Sequence, residues 1–167
     1  MLLVTMVMNG CGTITEELPT YEQTSIIGIG DKAPDFTATT IQGETITLSK
    51  LDAEATLLVL FSHTCPDCKA LLDDMNGVLT DIEALGARVI AIAREGNRAD
   101  IEEYMMKNGY RFDVVVDNNR EIYNTYATMY VPRTYLIDNK GIVVHTTVEY
   151  KSEYIPQIVE YIEALVK

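Results

Sequence analysis

Apolar residues along the chain form two kinds of pattern, continuous runs and runs with a helical spacing. The runs Thr56–Ser62 and Val89–Ala93 are almost wholly apolar, which is typical of strands buried on both faces of a sheet. The segment between them, Lys69–Leu85, is amphipathic and is followed by Gly86, a residue type that commonly stops a helix. This strand–helix–strand order predicts an α/β domain. The apolar residues of the helical segment recur at steps of three or four: Leu71, Met75, Val78, Ile82 and Leu85.

The pattern extends to both sides of this unit. Gln42–Gly43 separates two short runs of β-forming residues, Phe36–Thr40 and Thr45–Leu48, and predicts a β-hairpin with glycine at its turn. Together with the elements that follow, the hairpin predicts a mixed sheet with helices on both faces. The later elements are a helix capped by Asn97, a strand over Phe112–Val116, a short helix over Glu121–Ala127, strands over Thr134–Ile137 and Ile142–Val148 joined by a turn at Asp138–Gly141, and a last helix from about Glu153.

The N-terminal residues do not follow this periodicity. The apolar stretch Leu2–Met8 is far shorter than the roughly 20 residues needed to cross a bilayer, but it suits the core of an export signal. Gly10–Cys11 then resembles the end of a bacterial lipoprotein signal, in which the cysteine is lipidated. No Lys or Arg precedes the stretch, so we expect residues 1–11 to be a truncated lipoprotein signal peptide with lipidated Cys11. The alternative is a buried N-terminal strand with a free thiol.

Composition predicts one globular domain that does not bind nucleic acid. Residues 12–30 mix Thr, Glu, Gly and Pro without a sustained period, so we expect a tether followed by a domain over residues 31–167. With 167 residues and 47% hydrophobic content, the chain can bury one sizeable core. A formal net charge of −12 argues against nucleic acid, because phosphate binding requires clustered Lys and Arg.

The candidate chemistry lies in Cys65-Pro66-Asp67-Cys68, at a predicted junction of strand and helix. In the first turn of a helix, residues three apart lie on one side, close enough for two sulfurs to bond. The unpaired N–H groups and positive dipole end at that place also favour a thiolate. A static disulfide would close too small a loop to stabilise the fold much. The motif therefore predicts thiol chemistry.

Three motifs in order carry a wider resemblance. They are Gly30–Phe36, Phe61–Lys69 and Val131–Asp138. With these motifs the chain resembles the thioredoxin-fold thiol-disulfide oxidoreductases of the TlpA/ResA type, which bacteria export and which are related to the AhpC/TSA peroxiredoxins. The resemblance implies a thioredoxin-like fold with an N-terminal hairpin, and a helix–strand–helix insertion over Glu95–Tyr130 in the middle of the domain.

The resemblance also implies roles for individual residues. Pro132 would follow a cis peptide bond beside the cysteine pair, and Val131 would offer backbone groups to an incoming peptide. Cys65, nearest the helix tip, is expected to attack a partner disulfide, and Cys68 to resolve the mixed disulfide. The implied partners are protein thiols and disulfides and an upstream thiol electron donor. The protein would be exported, face the periplasm, be anchored by a lipid at Cys11, and need no cofactor besides the Cys65–Cys68 disulfide.

The neighbours of the pair bear on the direction of electron flow. Asp67 places a negative charge between the cysteines and opposes the Cys65 thiolate, while His63 and Lys69 partly offset it. A less stabilised thiolate makes a weaker oxidant, so we expect a reductant.

Relatives often use a buried acid to deprotonate the resolving cysteine. At the two positions where they carry it, this chain has Val59 and Leu71. Asp73 and Asp74 are near enough in the sequence to replace the missing acid, although we expect them on the solvent-exposed face of the helix. The proton acceptor of Cys68 therefore stays unassigned by the sequence.

A peroxiredoxin-like thiol peroxidase is one alternative, because Gly30–Phe36 and Arg133 are similar to peroxiredoxins. That chemistry typically uses a Pro-x-x-x-Thr/Ser-x-x-Cys loop. Counting back from the first cysteine, Ser62 fits the loop, but Leu58 occupies the proline position. The comparison disfavours the peroxidase.

Metal binding is another alternative. The cysteine pair could supply two soft ligands, with His63 or His145 completing a site. A second cysteine pair is missing from the sequence, which disfavours a closed zinc site and leaves transient capture of Cu(I).

Overall fold

The computed structural model describes residues 18–167, and its elements follow the predicted order. The predicted hairpin forms, with Thr37 opposite Thr47 and Gly43 at φ 93° in the turn. A single turn of 3-10 helix, Leu48–Lys50, follows it. In chain order the elements are α1 (Tyr21–Thr24), β1 (Thr37–Thr39), β2 (Thr45–Thr47), β3 (Ala55–Phe61), α2 (Pro66–Gly77), α3 (Leu79–Ala84), β4 (Ala87–Ala93), α4 (Arg98–Asn108), β5 (Asp113–Val116), α5 (Tyr123–Tyr126), β6 (Arg133–Asp138), β7 (Val143–Val148) and α6 (Tyr154–Leu165).

A five-stranded mixed sheet forms the centre of the molecule, in the order β5-β4-β3-β6-β7. Strand β3 pairs in parallel with β4 and antiparallel with β6, so it is the central strand, as its apolar run predicts. Strand β4 pairs in parallel with β5, and β6 pairs antiparallel with β7. The expected thioredoxin-like α/β architecture is confirmed.

Both faces of the sheet are covered, and the residues of β3 alternate between the two cores. Leu57, Val59 and Phe61 pack with buried residues of α2, α3, α4 and α6. Leu58 and Leu60 pack on the other side, against the hairpin and α5. Because this strand is fully buried, the cysteine motif that follows it is held by a rigid support.

The single helix predicted over Lys69–Leu85 is divided in the structure. Helix α2 ends at Gly77, α3 begins at Leu79, and Val78 between them has φ −112° and ψ 8°. Gly77 weakens a helix because it loses much backbone entropy on folding. The apolar spacing hides the break, since both helices keep a buried face toward the sheet.

Residues 18–30, part of the predicted tether, are folded against the domain in the structure. Helix α1 has a capping box, in which the Thr20 side chain accepts from Gln23 N–H and the Gln23 side chain accepts from Thr20 N–H. Ser25 forms a β-bridge with Ala127. The expected signal peptide, Cys11, and the start of the tether lie outside the described residues. Within residues 18–167, no helix is both long and apolar enough to cross a membrane.

Candidate active site

Cys65 lies between β3 and α2, at the N-cap position of α2. Its sulfur accepts a hydrogen bond from the Cys68 N–H at 3.4 Å, which satisfies one of the free donors of the first turn. Pro66 occupies the first helical position, where a missing N–H costs nothing and the fixed φ favours the helix. Cys65 is partly exposed, and both cysteines are free thiols.

Cys68 is the enclosed partner, with 0% of its surface exposed. Burial raises the pKa of its thiol well above the ordinary range. The Ser62 N–H donates to its sulfur at 3.4 Å and Arg94 lies near enough to favour the thiolate, but these effects are smaller than that of burial. Cys68 therefore keeps its proton at neutral pH until a base removes it.

The loop before β6 lies against Cys65. The Val131–Pro132 peptide bond is cis, and the Val131 carbonyl accepts from the Cys65 thiol at 3.8 Å. Pro132 carries no N–H, so one backbone hydrogen bond is missing at this position and the neighbouring backbone is not fully paired. The structure thus brings Cys65, Cys68 and Val131–Pro132 to one place.

The charged neighbours of the pair differ in what they contact. Asp67 is exposed in the first turn of α2. Lys69 pairs with Asp73 at 2.7 Å, so its ammonium group is held away from Asp67. His63 packs edge-on to Tyr104, with 6.1 Å between ring centroids, and its Nδ1 is buried with no hydrogen-bond partner among residues 18–167.

None of the candidate proton acceptors forms a hydrogen bond with the Cys68 sulfur. Val59 and Leu71, at the positions where relatives carry the acid, are apolar and fully buried. Asp73 accepts from the Tyr110 hydroxyl at 2.6 Å as well as from Lys69. Asp74 accepts from the Tyr150 hydroxyl at 2.7 Å. Neither aspartate contacts the sulfur.

Glu95 is the carboxylate that the sequence analysis missed. Its Oε1 accepts from the Ser62 hydroxyl at 2.6 Å, and its Oε2 accepts from Arg120 at 2.8 Å. The hydrogen bond from Ser62, and then the one from Arg120, lower the pKa of Glu95, so it is ionised at neutral pH. A signal was present in the sequence, because Ser62 and Glu95 each follow a strand of one parallel pair, and such strand ends meet at one edge of a sheet.

Cys65 opens on a cleft of about 490 Å³ between the end of β4 and the loop before β6. Val131 lines one part of the cleft. The charged groups Arg94, Glu95 and Arg120 line another. A partner segment that reaches Cys65 through this cleft meets all of these groups.

Two residues of the alternative hypotheses are engaged elsewhere. Arg133 is 1% exposed and donates to the Met129 carbonyl and to the hydroxyls of Thr24 and Ser25, so it supports the loop from behind. His145 stacks on Tyr161, with 4.4 Å between ring centroids. In the described part of the chain, no three His, Cys, Asp or Glu side chains are grouped to hold a metal ion.

Comparisons with known proteins identify related sequences. The model of the AhpC/TSA family matches residues 29–146. The thiol-disulfide oxidoreductase ResA of Bacillus thuringiensis is 24% identical over 143 residues, which cover 86% of this chain and 83% of that protein. The ResA of Geobacillus kaustophilus is 24% identical over 121 residues, which cover 72% of this chain and 70% of that protein.

Solved structures show the same fold. The thioredoxin domain of a thiol-disulfide oxidoreductase from Bacteroides vulgatus superposes with a TM-score of 0.72 at 14% identity, covering 84% of this chain and 99% of that one. StoA from Bacillus subtilis superposes with a TM-score of 0.67 at 22% identity, covering 77% of this chain and 96% of that one.

Proposed function

The chain belongs to the AhpC/TSA family and is a thiol-disulfide oxidoreductase, and from this premise we propose that its Cys65–Cys68 dithiol reduces disulfides in exported proteins. One observation carries the proposal. A partly exposed Cys65 at a helix N-terminus faces the Val131 carbonyl, while Cys68, three residues later, is buried behind it. Such a pair divides attack and resolution between two thiols.

The reaction has two exchange steps. The Cys65 thiolate attacks one sulfur of the partner disulfide, the partner S–S bond breaks, and one partner thiolate leaves and takes up a proton. Cys68 then loses its proton and attacks the Cys65 sulfur, which breaks the mixed disulfide and releases the second partner thiol. Two electrons pass from the dithiol to the partner, and the protein is left with a Cys65–Cys68 disulfide. No cofactor beyond that disulfide enters either step.

Val131 positions the partner in this scheme. Its carbonyl already accepts from the Cys65 thiol, so an extended partner segment pairing with the backbone at Val131 would lie beside the attacking sulfur. Pro132 keeps the next backbone position free of a competing N–H.

The direction of electron flow is inferred from the Cys68 thiolate and from the charges beside the pair. Burial disfavours the Cys68 thiolate, and Lys69 is paired with Asp73 instead of with Asp67. Strong oxidants of this fold owe their potential to a stabilised reduced form, so this pair is proposed to be a reductant. The equilibrium redox potential tests this. A value near that of thioredoxin, about −270 mV, supports the assignment, and one near that of DsbA, about −120 mV, overturns it.

Reduction of a model disulfide tests the activity itself. The reduced protein should accelerate insulin reduction, and Cys65→Ala should abolish the acceleration. Cys68→Ala should hold partners as a mixed disulfide at Cys65, which nonreducing electrophoresis detects and mass spectrometry identifies. If Cys65→Ala traps partners and Cys68→Ala does not, the proposed roles are reversed.

Export and anchoring complete the proposal. Gly10–Cys11 after an apolar stretch supports a lipid anchor, which would place the domain outside the cytoplasmic membrane with an upstream thiol protein as its electron donor. Cells expressing the full chain should incorporate labelled palmitate into it, and Cys11→Ala should abolish incorporation. Equal labelling of the variant would contradict lipidation at Cys11.

A further inference from the structure

Arg94 is a cation without a carboxylate partner in the wall of the cleft beside Cys65. Its guanidinium lies over the Tyr123 ring, 5.2 Å from the centroid, and donates to the Tyr123 hydroxyl at 3.3 Å. Its Nε is buried and has no hydrogen-bond partner among residues 18–167. No salt bridge of the described residues involves it.

The rest of the cleft leaves this positive charge uncancelled. Arg120 pairs with Glu95 at 2.8 Å, and Arg94 also lies near enough to lower the pKa of the Glu95 carboxyl, so one carboxylate faces two arginines and cannot cancel both charges. While Cys65 is a thiol, the remaining lining side chains are uncharged, so the cleft then carries one net positive charge in a chain whose formal net charge is −12. Arg133 adds a buried cation behind the cleft, where it donates to the carbonyl of the lining residue Met129 at 3.0 Å.

We infer that this cleft recognises an Asp or Glu side chain close to the reactive cysteine of the partner protein. The inference rests on the proposed function, because it assumes that a partner segment docks at Val131 and reacts at Cys65. Side chains two positions apart in an extended segment point the same way, so an acid two residues from the partner cysteine would lie on the Cys65 side and reach Arg94. The carboxylate would form a charge-assisted hydrogen bond with the guanidinium there.

A peptide series tests the inference on the whole protein. Each peptide contains one cysteine as a mixed disulfide with neutral pyridine-2-thiol, and has Glu, Gln or Lys at one of the two positions on either side. The second-order rate constant is read from pyridine-2-thione release as Cys65 attacks the peptide sulfur. At one position at least, the Glu peptide should react about fivefold faster than its Gln twin, the size expected of one partly exposed ionic contact, and the Lys peptide should react more slowly.

Three variants assign the preference to the cleft. The double variant Arg94→Gln/Arg120→Gln leaves Glu95 without a cation in the cleft, so the ratio of the Glu to the Gln rate constant should fall to one or below. Glu95→Gln keeps an acceptor for Ser62 but removes the negative charge, so the ratio should rise. Arg98→Gln removes an arginine that pairs with Glu102 on α4, and its ratio should match that of the native protein.

The outcomes separate this inference from the function on which it rests. Equal rates for Glu and Gln peptides at every position would overturn acidic recognition while leaving the dithiol chemistry intact. A preference that survives the double arginine variant and does not grow in Glu95→Gln would overturn it too. If the native protein releases no thione from the Gln peptides, or Cys65→Ala releases it equally fast, the proposed function fails instead.

Discussion

The proton on Cys68 is the residue-scale feature that governs the second half of the reaction. Burial raises the pKa of this thiol, so only a small thiolate fraction exists at neutral pH. None of the aspartates expected from the sequence contacts the sulfur. Resolution of the mixed disulfide must therefore wait for deprotonation.

The first prediction concerns the pH dependence of that step. Below the pKa of Cys68, each pH unit increases the thiolate fraction about tenfold, so the resolution rate should keep rising through pH 9. Stopped-flow measurement of partner release from a preformed mixed disulfide at Cys65 checks this. The control is the capture step in Cys68→Ala, which does not use the buried thiol. A resolution rate that levels off near pH 7 would contradict the role given to burial.

Asp67 carries a second residue-scale prediction. It is exposed in the first turn of α2, and the nearby cation Lys69 is engaged by Asp73. Asp67→Asn removes a charge that opposes the Cys65 thiolate, so it should make the pair a stronger oxidant. An exposed charge contributes less than about 1 kcal/mol and 30 mV equals about 1.4 kcal/mol, so the potential should rise by about 10 to 20 mV.

The matched control for Asp67 is Glu83→Gln. Glu83 is also exposed and carries the same charge, but it lies on α3 and not on the helix turn that carries the two cysteines. Both potentials are read from equilibration with glutathione. An equal shift in the two variants would show a general effect of net charge and remove Asp67 from the account of direction.

At the scale of elements, the segment around α1 supports the loop that carries Val131–Pro132. Thr128 N–H donates to the Thr24 carbonyl at 2.9 Å, and the Tyr130 hydroxyl donates to the Pro19 carbonyl at 2.8 Å. The buried Arg133 joins the same segment through the side chains of Thr24 and Ser25. The segment around α1 therefore supports the loop before β6 through these hydrogen bonds.

Thr24→Val tests this brace with almost no change in shape. It leaves one buried guanidinium N–H of Arg133 without its acceptor, which costs about 1–3 kcal/mol of unfolding free energy. Insulin reduction should also slow, because the loop beside Cys65 loses part of its support. Denaturant titration and the reduction assay measure the two effects. Thr39→Val, at an exposed position of the hairpin, is the control and should change the unfolding free energy by less than about 0.5 kcal/mol.

At the scale of the whole molecule, the sequence predicts what depends on local pattern and misses what depends on distant pairs. The apolar run at Thr56–Ser62 identifies the central strand because both of its faces are buried. The helix break at Val78 is missed because the apolar spacing continues across it. The folding of residues 18–30 is missed because its contacts are made with residues about 100 positions away along the chain, such as Arg133.

The residues of the candidate site show the same difference between local and distant signals. Cys65 and Cys68 are found from the sequence because one short motif holds both thiols. The Ser62–Glu95 hydrogen bond joins residues 33 positions apart, and only the parallel pairing of β3 with β4 brings them together. Arg94 and Arg120 enter the cleft for the same reason, through the ends of strands and the loops that follow them.

The last prediction links the direction of electron flow to the stability of the whole fold. In a thermodynamic cycle, the redox potential of the folded pair differs from that of the unfolded pair by the difference in unfolding free energy between the two redox states. A reductant is a pair whose oxidised form gains more from folding, since each 30 mV corresponds to about 1.4 kcal/mol. Here burial of Cys68 favours the protonated thiol over the thiolate, so folding does not stabilise a Cys68 thiolate in the reduced form. The oxidised protein should therefore unfold at a higher denaturant concentration than the reduced protein at neutral pH, with Cys65→Ala/Cys68→Ala unaffected by reductant. A reduced form that is the more stable of the two would show a thiolate stabilised by the fold, and the proposed reductant would be an oxidant.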